Sequence, residues 1–182
     1  MTYSVILADL AWQYADKSLH RGGAERHYRT MKLPEIMALP VGDMAAPNAA
    51  LFLWATWPNM PAALAVIDAW GFRYRTCAFL WVKTTSTGKH AMGMGHYTRA
   101  NSEPCLLAIR GRMPVASRSV RQVIESPRLR HSQKPPEAYD RIETLYPMAS
   151  KAELFARDTR AGWDSFGDEI DGRGIAEAIA AT

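Results

Sequence analysis

The stretch Ser4-Val5-Ile6-Leu7-Ala8-Asp9-Leu10-Ala11-Trp12 decides how the chain is read. Val5 to Ala8 is a continuous apolar run with no polar residue alternating into it. That pattern fits a strand buried on both faces inside a parallel sheet. The run stops at an acid, Asp9, and from there to Thr30 the sequence has little periodicity and contains Gly22-Gly23. A long loop therefore follows the strand, and loops of that length inside a compact domain tend to carry function.

The same reading extends along the chain. Leu51-Phe52-Leu53-Trp54 is a second buried strand. Asn59 caps a helix with Pro61 in its first turn, Met60, Leu64, Ile67 and Trp70 on one face, and Gly71 at its end. Phe72 to Lys83 reads as a third strand, Thr84 to Ser102 as a polar, glycine-containing loop, Pro104 to Ile109 as a fourth strand, and Val120 to Glu125 as a candidate fifth. Ser132 is placed to cap a helix running through Pro135-Pro136 to Tyr146, with Ala138, Tyr139, Ile142, Leu145 and Tyr146 on its apolar side. Ala152 to Ala156 is the next strand, and the Ala-rich end from Gly174 to Thr182 reads as a frayed helix or tail. Strands alternating with helices predict an α/β sheet of mostly parallel strands. With no internal repeat or linker, one domain is expected over residues 1–170, followed by a short tail over 171–182.

Composition narrows the class. The 182 residues are 48% hydrophobic and 22% charged, an ordinary globular balance. No apolar run reaches the length of a membrane span. The start enters a strand without a basic region or cleavage site, so a secretory signal is not expected. Cys77 and Cys105 lie in separate apolar runs, which fits reduced core thiols and a cytoplasmic location. The five histidines, His20, His27, His90, His96 and His131, show no metal-ligand spacing with the cysteines, so no metal is expected. Gly93-Met94-Gly95 is a lone Gly-x-Gly, and no glycine fingerprint follows a strand, which disfavours a nicotinamide enzyme. The net charge of +4 is concentrated: Arg99 to Lys134 holds eight Lys/Arg against two acids, Glu103 and Glu125. A basic segment on a near-neutral body suits a polyanion, although a solvated basic surface would look the same.

In open α/β sheets, ligands bind outside the carboxyl ends of the strands. Asp9, Trp54-Ala55-Thr56, Lys83-Thr84 and Arg157 all fall at such ends and can converge on one cleft. By themselves Asp9 and Trp12 have two readings. One is a turn-capping acid beside a core tryptophan; the other is a tip that handles a nucleobase. In the second, a carboxylate and a backbone carbonyl accept the N–H groups of an exocyclic amine, and the aromatic stacks on the extruded base.

The blocks taken together favour the second reading. Ile6-Leu7-Ala8-Asp9-x-x-Trp12, Leu51-Phe52-Leu53-Trp54-Ala55-Thr56, Ala69-Trp70-Gly71-Phe72, Trp81-Val82-Lys83-Thr84, His131-Ser132-Gln133-Lys134-Pro135-Pro136-Glu137, Glu153-Leu154-Phe155-Ala156-Arg157 and Gly162-Trp163-Asp164-Ser165-Phe166-Gly167 follow one another in order. They resemble the MT-A70 family of adenine N6-methyltransferases over about residues 4 to 170.

The resemblance implies a Rossmann-like S-adenosylmethionine-dependent methyltransferase fold, with a mostly parallel central sheet and flanking helices. Asp9 would match the catalytic acid of the family's Asp-Pro-Pro-Trp motif and also border the cofactor, with Leu10 and Trp12 completing the catalytic tip. Lys134 would lie near cofactor or substrate; Glu153, Phe155 and Arg157 would follow the strand holding the nucleoside part of S-adenosylmethionine; and Asp168 and Glu169 would reach its ribose. Trp57, Lys83, His96, Tyr97, Arg128 and Arg130 are the candidate substrate contacts.

The sequence departs from the motif where Leu10 and Ala11 replace the two prolines. That change removes two fixed φ angles and adds two N–H donors, but it keeps the carbonyl of residue 10. The expected activity is methylation of the adenine N6 amine in DNA, with nucleic acid as partner, no membrane, and room for a homodimer. DNA is expected because short single-domain members of this family look like prokaryotic or phage DNA-modifying proteins. Two alternatives stay open: an RNA adenine N6-methyltransferase, and a weakened or inactive regulatory protein that binds S-adenosylmethionine or nucleic acid.

Overall fold

A computed structural model describes residues 1–12, 30–93, 97–128 and 133–181. Its strands are β1 (Tyr3–Asp9), β2 (Ala45–Trp54), β3 (Arg73–Thr84), β4 (Ser102–Arg110), β5 (Val123–Pro127), β6 (Lys151–Leu154) and β7 (Asp164–Phe166). They form one seven-stranded sheet in the order β5-β3-β4-β2-β1-β6-β7. β1 runs parallel to β2 and β6, β3 to β5, and β6 to β7. β4 is reversed against both β2 and β3.

The continuous apolar run in β1 is explained by its place in the sheet. Val5 to Ala8 are all buried, and the pleat sends Ile6 and Ala8 to one core and Val5 and Leu7 to the other. Helices α1 (Leu33–Met37), α2 (Val41–Met44) and α3 (Met60–Ala69) cover the first face, burying Ile36, Val41, Met44, Val66 and Ile67 against Leu51 and Leu53. On the second face, α4 (Glu137–Leu145) inserts Ala138 and Ile142 among Val5, Leu7, Phe52, Trp54 and Trp81. The Phe52 and Phe79 rings stack there with centroids 5.8 Å apart.

Several boundaries differ from the sequence-based expectation. The helix expected from Ser132 begins at Glu137 with Pro136 at its cap, and Ser132 lies outside the described residues. Asn59 occupies the cap position of α3 without a side-chain capping bond, because the chain enters that helix through a 3-10 turn, Trp57–Asn59. The strand expected to reach Ala156 ends at Leu154. A short helix α5 (Asp168–Asp171) closes the expected domain, and the expected C-terminal tail contains α6 (Ile175–Ala180), which docks Ile175 and Ile179 into the first core. Among the described residues, no helix is long and apolar enough to cross a membrane.

Because α6 is docked, its anchor should matter for stability. Ile175→Ala should lower the unfolding free energy by about 2–4 kcal/mol in denaturant titration at an unchanged m-value. A change below about 0.5 kcal/mol, the size expected for a surface substitution, would show that the helix contributes nothing to the fold.

Candidate active site

The register brings the important strand ends together. Asp9, the last residue of β1, pairs with Trp54, the last of β2, and Trp54 pairs with Cys105 of β4. Since β4 runs backwards, its beginning lies beside the ends of its neighbours, which places Glu103 at the same edge. A cavity of about 690 Å³ opens there, within the size range of small-molecule sites.

One wall of the cavity is a chain of alternating charges. Lys134 Nζ donates to Asp9 Oδ2 at 2.6 Å and lies 3.6 Å from Glu103 Oε2. Lys83 Nζ donates to Glu103 Oε1 from the other side. The Lys134 ammonium also sits 5.8 Å from the Trp54 ring centre. Burial raises the pKa of the Asp9 carboxyl above the usual aspartate value, the ammonium and hydrogen bond of Lys134 pull it back, and the Glu103 charge pushes it up again. The net shift is upward.

The tip after β1 is tied down by backbone bonds. Trp12 N–H donates to the Leu10 carbonyl and Met31 N–H to the Ala11 carbonyl, each at 2.9 Å. Leu10, Ala11 and Trp12 all line the cavity, and the Leu10 side chain is buried in the first core. A carbonyl has two lone pairs, so the Leu10 oxygen can accept a second donor.

The opposite wall is shaped by one strained residue and one close approach. Phe155, just beyond β6, has φ of 61°. A non-glycine residue there costs about 1–2 kcal/mol, and such strain concentrates at functional sites. Ala156 N–H then bonds to the Phe166 carbonyl at 2.9 Å. A Cβ on Gly167 would lie 2.2 Å from the Ala156 carbonyl oxygen, so only glycine lets the chain after β7 pass this close. The passage carries Asp168 and Glu169 into the cavity lining beside Phe155 and Arg157, with Arg157 Nε 3.6 Å from a Glu169 oxygen. Ile175 of α6 also lines the cavity.

Of the residues read from the sequence, the cavity lining includes Asp9, Leu10, Trp12, Lys134, Phe155, Arg157, Asp168 and Glu169. Glu153 is not among its lining residues. Its carboxylate accepts the Tyr139 hydroxyl at 2.7 Å in the layer under α4, where burial raises its pKa to about 7. Lys83 is engaged by Glu103 and the Trp81 ring, and Trp57 stands outside the lining with its indole N–H on Ser102 Oγ at 3.1 Å. Tyr97 is fully exposed, and Arg128 is exposed with its backbone N–H on the Thr84 carbonyl. His96 and Arg130 lie outside the described residues.

Two residues of the basic segment are turned away from solvent. Arg110 donates to the carbonyls of Gly42, Trp70 and Gly71, and Lys134 is drawn into the cavity wall. Sequence reasoning missed Glu103, Glu35 and Ile175 as lining residues. The available signal for Glu103 was an acid heading an otherwise apolar strand.

The lining holds five acids (Asp9, Glu35, Glu103, Asp168 and Glu169) against Lys134 and Arg157, on a chain that is basic overall. That acidic excess, with an apolar ring at Phe155, fits a cationic sulfonium bearing a nucleoside. The arrangement places the chain among the Rossmann-like methyltransferases that use S-adenosylmethionine.

The MT-A70 family model matches residues 3–169, and the chain belongs to that family of adenine N6-methyltransferases. It is 35% identical over 187 residues to the type II methyltransferase M.MunI of a Mycoplasma species, covering 92% of this chain and 78% of that protein. It is 30% identical over 179 residues to an N(6)-adenosine-methyltransferase MT-A70-like protein of Arabidopsis thaliana, covering 24% of that protein. It is 28% identical over 179 residues to the human N(6)-adenosine-methyltransferase catalytic subunit METTL3, covering 28%. The chain therefore spans most of the Mycoplasma protein and about a quarter of the plant and human ones.

The close approach at Gly167 gives a direct check on the cofactor wall. Gly167→Ala should weaken S-adenosylmethionine binding by at least about tenfold in calorimetry, since backbone must shift to admit a methyl group. An unchanged Kd would mean that Asp168 and Glu169 do not hold the cofactor.

Proposed function

We propose that the chain transfers a methyl group to the N6 amine of adenine in DNA, with Asp9 as the residue that receives the amine. The observation carrying this reading is the Asp9–Lys134 pair at the cavity edge. Lys134 occupies Asp9 Oδ2 and leaves Oδ1 to accept an N–H from the amine. The second lone pair of the Leu10 carbonyl is placed to accept the other. Two such bonds draw the nitrogen lone pair out of conjugation with the ring.

S-adenosylmethionine supplies an electrophilic methyl group on its sulfonium. Phe155, Arg157, Asp168, Glu169 and Ile175 hold the nucleoside side of the cavity, and Asp9, Trp54 and Glu103 form the side that takes the target base. Trp12 is the aromatic placed to stack on that base. As an N–C bond formed, the sulfonium S–C bond would break with its electron pair passing to sulfur as a neutral thioether, and the nitrogen would gain positive charge and have to lose a proton. Asp9 Oδ1 is positioned to take it, and the raised pKa of this carboxyl makes it a better acceptor than an ordinary aspartate.

DNA as substrate is supported by the Mycoplasma type II methyltransferase, most of whose length this chain matches. The cysteines Cys77 and Cys105 are both free, in keeping with a reducing cytoplasm.

The deciding experiment incubates plasmid DNA and an RNA transcript separately with protein and S-adenosylmethionine, followed by nucleoside mass spectrometry. N6-methyldeoxyadenosine should form from the DNA. Asp9→Asn should cut the rate by about 10²–10⁴-fold, the usual worth of a positioned acid–base group, and keep the cofactor-induced rise in Tm. Product from RNA alone would reassign the substrate, and no product from either would favour a regulatory protein.

A further inference from the structure

We propose that Trp57 is the wedge that enters the duplex beside the target adenine and stabilises its extruded state; this rests on the DNA reading above. An adenine paired inside a duplex cannot reach a carboxylate at the floor of a cavity, so the base must leave the stack. The gap it leaves is costly unless something apolar and flat fills it.

Trp57 has the required placement. It directly follows Thr56, which lines the cavity, and its indole N–H bonds to Ser102, the residue before the cavity-lining Glu103. The ring is thus held at the mouth between the end of β2 and the start of β4. The 3-10 turn Trp57–Asn59, with Pro58 inside it, stiffens the backbone that carries it.

The exposure of the ring is the second observation. Trp54, Trp70 and Trp81 are buried to within 3% exposure, whereas Trp57 keeps 49%. A fixed, half-exposed indole loses little further conformational freedom on stacking, unlike a mobile side chain. Tyr97 is more exposed, and among the described residues no side-chain hydrogen bond holds it. Arg99 and Arg128 are also exposed at this end of the sheet, where they can meet the phosphates flanking an opened base pair.

The test compares one oligonucleotide as a duplex, as a single strand, and as a duplex with the target opposite an abasic site. Trp57→Ala should lower the ratio of duplex to single-strand methylation rates by about tenfold, the equivalent of one base–aromatic stack. The abasic partner should restore much of the loss, and Trp57→Phe should keep most of the ratio. Equal loss on all three substrates would overturn the proposal, because it would mark Trp57 as support for the cavity. In parallel, 2-aminopurine at the target position should brighten on binding the unsubstituted protein and stay dim with Trp57→Ala. That emission needs no methyl transfer. If the protein transferred no methyl group, a dim Trp57→Ala complex would still support the wedge, and brightening equal to that of the unsubstituted protein would overturn it.

Discussion

The ion pair between Lys134 and Asp9 is the constraint on which the site depends. The two residues are 125 positions apart, and each offsets part of the cost of desolvating the other's charge in the cavity wall. The pairing continues through Glu103 to Lys83, so β1, β3, β4 and the segment before α4 are tied at one edge of the sheet. Losing Lys134 would leave the Asp9 carboxylate beside Glu103 without its main counter-charge, which disfavours the ionised form of Asp9. The same pair orients the Asp9 carboxylate by holding Oδ2. One contact therefore bears on both the position of the acid and its protonation.

The sheet was legible in the sequence because buried strands announce themselves. The uninterrupted apolar runs at Val5 to Ala8 and Leu51 to Trp54 belong to strands covered on both faces, β1 and β2. The reversal of β4 was not legible, since strand direction leaves no mark on local composition. That single unknown hid Glu103: a search restricted to carboxyl ends of parallel strands passes over the first residues of an antiparallel one. The four-residue α5 and three-residue β7 were equally hidden, being too short to show a period, yet they carry Asp168 and Glu169 into the cavity lining. Glu153 stays out of the cavity lining for a related reason. Its carboxylate belongs to the layer under α4, while Phe155, at positive φ, turns to line the cavity.

The replacement of the two prolines by Leu10 and Ala11 reads differently once the structure is known. Proline would stiffen the tip through its ring. Here Leu10 fills the core with its side chain, while the Leu10 and Ala11 carbonyls are bonded to Trp12 and Met31. The tip is held by burial and backbone bonds. Asp9, Leu10 and Trp12 all line the cavity, so the tip still presents an acid, a carbonyl and an aromatic there.

The central claim is that Asp9 acts as a carboxylate whose ionisation Lys134 controls. Its most direct test is the pH dependence of single-turnover methyl transfer at saturating cofactor. Burial raises the Asp9 pKa, so activity should fall on acidification at a pH above the ordinary aspartate range, as the carboxylate becomes protonated. Lys134→Met removes the two largest influences that lower this pKa and leaves only the weaker one of Arg157, so the acid limb should move to still higher pH. An acid limb at the ordinary aspartate value, or one that stays in place when Lys134 is replaced, would contradict the account.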